Sequence, residues 1–161
     1  METRDQAETT EWLPPDAARD SSHDDIVRRR EDLHRAMVRL EASVARSSKL
    51  DDWQQVVEET LAGIQDALRR HAGEVESENG LLNEVVARAP HLSAAADSLR
   101  DEHRDLEEAV WTAQAVAGTH GVDPSQVRAE AMEVITRLAN HRQTGADLLY
   151  DAYSVDLGGE D

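Results

Sequence analysis

Leu61-Ala-Gly-Ile64-Gln-Asp-Ala-Leu68-Arg-Arg-His71-Ala-Gly-Glu74-Val75-Glu-Ser-Glu78 decides the fold. Val57, Leu61, Ile64, Leu68 and Val75 recur at spacings that put them on one side of a 3.6-residue helix. His71 stands in that apolar line. One histidine on an apolar seam says little, but three other segments repeat the arrangement.

Working outward, the period predicts a first helix from about Asp24, with Ile26, Leu33, Met37, Leu40 and Val44 as its stripe and His34 beside it. Asp51 is the expected cap of a second helix over 53–78, and Asn79-Gly80 its stop, by the left-handed conformation both residues tolerate. A short helical piece over 81–88 ends at Ala89-Pro90. The third long helix, 91–118, carries Leu92, Ala96, Leu99, His103, Leu106, Val110, Ala113 and Ala117 in line. Asp123-Pro124 opens a fourth over 124–153, because proline suits the first helical turn. Its stripe is Val127, Ala131, Val134, Leu138, His141 and Leu148. The expectation is an all-α protein: an up-down-up-down antiparallel four-helix bundle over 24–153. A polar acidic arm precedes it over 1–23, in which Trp12 finds a surface to cover, and a short acidic tail follows over 154–161.

Composition narrows the chemistry. The 161 residues contain no cysteine, which removes disulfides and thiolate metal sites. A net charge of −17 argues against a nucleic-acid partner, since binding phosphates needs a basic surface. No apolar run is long enough to span a membrane, and no signal-peptide pattern opens the chain, so a cytoplasmic location is expected.

Each predicted long helix brings one histidine to its stripe: His34, His71, His103 and His141. In an alternating bundle they lie roughly 8–13 residues from one shared end, a common layer at ~12–20 Å depth given 1.5 Å per residue. Carboxylates accompany them: Glu74 and Glu78 after His71, Glu107 one turn after His103, and Asp147 after His141. Imidazole with carboxylate is a ligand set for iron, manganese or zinc, and bundle cores hold two-metal carboxylate sites. Glu76 reads as a surface acid, His23, His91 and His120 as surface residues, and Trp53 and Trp111 as packing residues.

The order of these residues over the four helices resembles the hemerythrin-like, or HHE cation-binding, proteins. The similarity lies in His71-Ala-Gly-Glu74-Val-Glu-Ser-Glu-Asn-Gly-Leu-Leu, Ala89-Pro-His-Leu92 and His141-Arg-Gln-Thr-Gly-Ala-Asp147-Leu-Leu-Tyr150, as in actinobacterial-type members. The resemblance implies two non-haem irons in a four-helix bundle, and a small ligand such as dioxygen, nitric oxide or peroxide. It makes His34, His71, His103 and His141 terminal ligands, and Glu74 and Asp147 bridging candidates, with Glu78 as the alternative to Glu74. Oxygen-carrying members have a second histidine where this chain has Glu107, and their helix 2 glutamate stands where this chain has Val75. Their helix 4 aspartate comes one residue earlier than Asp147. These departures make the site richer in oxygen donors. Zinc or manganese is the alternative metal. Peroxide breakdown or ferrous oxidation by a di-iron oxidoreductase, and a metal-free structural bundle, are the rival functions.

Overall fold

The computed structural model describes residues 15–154, with side chains described at Arg28 and from Glu31 onward. The expectations for most of the arm, for Trp12 and for the tail lie outside the described residues, and so do the side chains of His23 and Ile26. Every regular element among the described residues is helical. The elements are α1 (Pro15–Ala45), α2 (Trp53–Val75), α3 (Leu81–Arg88), a 3-10 turn (Pro90–Leu92), α4 (Ser93–Ala117) and α5 (Pro124–Ser154), with no strand among the described residues. No helix among them is long and apolar enough to cross a membrane. α1 packs along α2, α2 against α4, α4 along α5, and α5 against α1.

Several boundaries differ from the sequence expectation; the expected third long helix of 91–118, for one, is preceded by a separate 3-10 turn and begins at Ser93, after Pro90. α1 begins at Pro15 rather than near Asp24, since proline suits a first turn and nothing in the acidic segment after it breaks a helix. The residue capping α2 is Asp52, not Asp51, and its carboxylate makes no cap bond. It pairs instead with Arg46 across the loop, at 3.1 and 3.2 Å. α2 ends at Val75, before Glu78. Gly80 does not end it by a left-handed turn: its φ is −78°, and Gly121 is the only glycine with positive φ among the described residues. Gly80 is needed for space. A Cβ there would meet the Glu74 and Val75 carbonyl oxygens at 2.5 Å, a contact that requires the backbone to shift. Gly80→Ala is expected to cost about 1–3 kcal/mol, the range for overpacking a tight contact. A denaturation midpoint unchanged from wild type would show that the turn has room to move.

Helix ends are closed by side chains from other helices. The Trp53 indole N–H donates to the Ser43 carbonyl at 3.0 Å, and Arg128 donates to the Val44 and Arg46 carbonyls while its guanidinium lies 5.0 Å from the Trp53 ring. The last carbonyls of α1 have no partners within their own helix, so α2 and α5 supply them. Gln54 does the same for α4, donating to Ala117 and Thr119 carbonyls at 2.6 and 2.8 Å. Asp123 opens α5 as expected, its carboxylate accepting the Ser125 N–H at 2.8 Å.

Near the other end, the Tyr153 hydroxyl donates to Glu84 at 2.8 Å and its ring lies under Arg88, tying α5 to α3. Burial, with the Glu84 hydrogen bond and charge, raises the Tyr153 pKa above the usual phenol value. A raised folded-state pKa means this contribution is complete below ~10, the unfolded phenol value, and is lost as pH rises through the folded value. Tyr153→Phe is therefore expected to flatten the alkaline arm of the melting temperature–pH curve. An identical arm in the variant would remove Tyr153 from that dependence.

The apolar interior falls into two clusters. The larger contains Leu33, Leu40, Trp53, Leu61, Ile64, Leu68, Leu106, Val110, Val134 and Leu138. The smaller contains Val75, Leu82, Val85, Ala96, Leu99, Leu148 and Ala152. Between them, on three helices, lie buried histidines: His71 between Leu68 and Val75, His103 between Leu99 and Leu106, and His141 between Leu138 and Leu148.

Candidate metal centre

A buried side chain on the apolar face of one helix meets its counterparts on neighbouring helices at the same level. The stripes of α2, α4 and α5 each carry one imidazole at that level. His71, His103 and His141 are 9%, 3% and 6% exposed, and one ligand atom from each falls within 4.8 Å of the other two. Their ring centroids lie 4.6–5.8 Å apart with ring planes 64–87° to one another. The rings are steeply inclined to one another rather than stacked face to face.

Two acids fix how two of these rings are used. Glu76 Oε1 contacts Nδ1 of His103, and Glu102 Oε2 lies 2.8 Å from Nδ1 of His141. A carboxylate only accepts hydrogen bonds, so each Nδ1 carries the proton and donates it. In a neutral imidazole the other nitrogen then bears a lone pair. Those two nitrogens, Nε2 of His103 and Nε2 of His141, face each other at 3.0 Å. Two lone pairs at that distance repel; a proton carried by one of the two nitrogens, or a metal cation held by both, makes the contact favourable. Imidazole nitrogens bound to one ion at about 2.0–2.1 Å stand about 3 Å or more apart, which the separation nearly matches. A carboxylate behind an imidazole is the usual outer support of a histidine metal ligand, and raises its basicity.

The acids follow a pattern around the molecule. Glu76 comes from the end of α2 and serves a histidine of α4; Glu102 comes from α4 and serves a histidine of α5. Each is off phase with the histidine of its own helix, and so points toward the next helix. Glu76 is thus corrected from a surface acid to a half-buried partner, because its position past the His71 face aims it at α4. Glu102 had no signal of its own in the sequence. Its one mark is that it directly precedes a histidine in the apolar stripe. Removing it, as Glu102→Ala, is expected to weaken metal binding about 10–100-fold while leaving helicity intact. Unchanged affinity for zinc or ferrous iron would mean that Glu102 plays no part in the site.

The other proposed ligands fall outside the set whose ligand atoms all lie within 4.8 Å of one another. His34, on α1, is exposed, and its Nδ1 accepts a hydrogen bond from Arg142 at 3.0 Å. That bond engages the lone pair which would bind an ion. Asp147 is exposed and accepts from Gln143 at 2.8 Å, one turn back on the same helix. Glu107 is half-buried on α4, and Glu78 is exposed in the turn after α2. Glu74, one turn beyond His71, is half-buried with its Oε2 fully covered. Among the described residues, the gathered donor set is three nitrogens, which suits one ion. Of the remaining sequence expectations, Trp53 packs fully inside while Trp111 is 65% exposed, a correction, and His91 and His120 are exposed as expected.

The trio has two kinds of surroundings. On the α3 side it borders a cavity of about 40 Å³ walled by Val75, Leu82, Leu99 and Leu148. On the α1 side a wider groove, mostly apolar but bearing Glu31, His34 and Arg142, reaches His71 and His141 from solvent. No family model, no curated protein and no solved structure matches the chain. The chemistry therefore rests on the residues themselves.

Proposed function

We propose that this chain is a hemerythrin-like helical bundle, its four long helices alternating in direction, that holds non-haem iron on His71, His103 and His141. There it binds or reacts with a small ligand of the size of dioxygen, nitric oxide or peroxide. The observation that carries this reading is the pair of Nε2 atoms 3.0 Å apart, each on a ring whose Nδ1 is committed to a glutamate. That arrangement is unfavourable in a neutral core and favourable around a cation. The three-nitrogen set supports one ion rather than the two that the family resemblance implies.

Iron bound there would supply open coordination positions and a one-electron couple. The chain's own residues set the conditions. Glu76 and Glu102 hold the imidazoles in one tautomer and one orientation. Val75, Leu82, Leu99 and Leu148 give the adjoining space apolar walls, and about 40 Å³ has room for a diatomic molecule but not for an organic substrate. Dispersion contacts in such a space favour a small apolar ligand over bulk water.

The test is metal content per chain on freshly purified protein and on protein loaded anaerobically with ferrous iron, with an absorption spectrum of each sample. About one iron per chain, whose spectrum changes with nitric oxide or peroxide, supports the proposal. About two irons per chain would restore the bridged form and bring Glu74 into the ligand set. Zinc bound in preference to iron would leave the site and remove the redox chemistry. No metal under either condition would leave a structural bundle.

A further inference from the structure

We propose that the groove between α1 and α5 is a binding site for a small organic carboxylate, held by the guanidinium of Arg142. The groove opens about 500 Å³ of space beside the histidine trio, a volume in the range of small-molecule sites and far above what a diatomic needs. Leu33 and His34 form one wall, Ala139, Gly145 and Ala146 the other, and His71 and His141 lie at its inner end. Small residues on α5 leave the space unfilled; the polar groups around it give that space a chemistry.

Arg142 is the informative residue. The chain has 34 acidic residues against 17 basic, and Arg35, Arg46, Arg100, Arg104 and Arg137 each pair with a carboxylate. Arg142 makes no ion pair among the described residues, although Glu31 lines the same groove. Its Nη1 donates to the neutral acceptor Nδ1 of His34 at 3.0 Å. That bond places the guanidinium without neutralising it. A planar guanidinium with donors to spare matches a carboxylate by two parallel hydrogen bonds. A carboxylate seated on Arg142 would direct the rest of its molecule along the groove toward His71 and His141. Where that far end lies rests on the metal reading above; the contact with Arg142 does not.

The test is a titration of the metal-free, full-length chain with succinate, followed by nuclear magnetic resonance of the arginine Nε–H and histidine ring signals. Saturable shifts at Arg142 and His34 are expected, and Arg142→Gln is expected to weaken binding by about tenfold or more, as loss of a bidentate charged contact does. Arg142 is exposed, so its replacement leaves the fold intact; Arg104→Gln, on the outer face of α4, is the control and is expected to bind as wild type. Shifts that never saturate, or equal affinity in Arg142→Gln, would overturn the proposal. A parallel titration of zinc-loaded protein is expected to bind more tightly. If zinc does not load at all, the metal reading fails, and the metal-free result still decides the groove.

Discussion

With His71 and His103 both replaced by alanine, the protein is expected to purify as a helical chain that holds less than about a tenth of the wild-type metal, since one remaining imidazole cannot chelate an ion. Wild-type chain should melt higher as metal is added. An ion that binds only the native state contributes about 2.7 kcal/mol at one hundred times its dissociation constant. The double variant should lose that dependence altogether. Its helices should persist, because the large apolar cluster, including Trp53, Leu61, Ile64 and Leu138, does not rely on either imidazole. Circular dichroism with metal analysis on the same sample separates the two effects. Full metal occupancy in a folded double variant would refute the site.

Trp53→Ala should produce the largest loss of stability of any single substitution in the chain. The ring is 1% exposed at the start of α2 and fills the end of the large cluster. Truncating a buried aromatic costs about 3–5 kcal/mol through lost transfer energy and the cavity left behind. Here two further contacts go with it. The Ser43 carbonyl loses the indole donor, and Arg128 loses the ring face beneath its guanidinium. Against a typical total of about 5–15 kcal/mol, that is a large share. Urea denaturation should show the midpoint fall sharply, while Trp53→Phe recovers part of the packing but not the hydrogen bond. A loss below about 1 kcal/mol would mean that the cluster closes around the gap.

Periodicity made the long helices, the short 81–88 piece and three of the histidines legible in advance, because a helical stripe is a local property of the sequence. His71, His103 and His141 lay in line with leucines and valines and were buried with them. His34 only bordered its stripe, and it came to rest on the solvent side, bonded to Arg142. The acids were harder to read. Spacing along one helix singles out carboxylates in phase with a histidine, such as Glu74 and Glu107. Glu76 and Glu102 serve histidines of other helices, 27 and 39 residues away in sequence, and that pairing depends on which helices are neighbours. Gly80 shows the same limit in another form. A glycine after a helix signals a stop, but whether it answers to a backbone angle or to crowding is settled by what packs against it.

The position of the three imidazoles between two apolar clusters bears on how the protein opens. A layer of polar rings separates the two apolar clusters, so that the smaller one, with α3 and the adjoining ends of α2, α4 and α5, is joined to the larger by the helices that run through both. Regions with fewer buried apolar contacts open at lower free energy than the whole molecule. Amide hydrogens near Val85 and Leu82 should therefore exchange through partial openings, while those near Leu61 and Val134 wait for global unfolding. An ion bound by α2, α4 and α5 would tie the two parts together, so that loading the site slows exchange at Val85 far more than at Leu61. Occupancy of the centre would then be felt as rigidity at the end of the molecule that forms the wall of the small cavity.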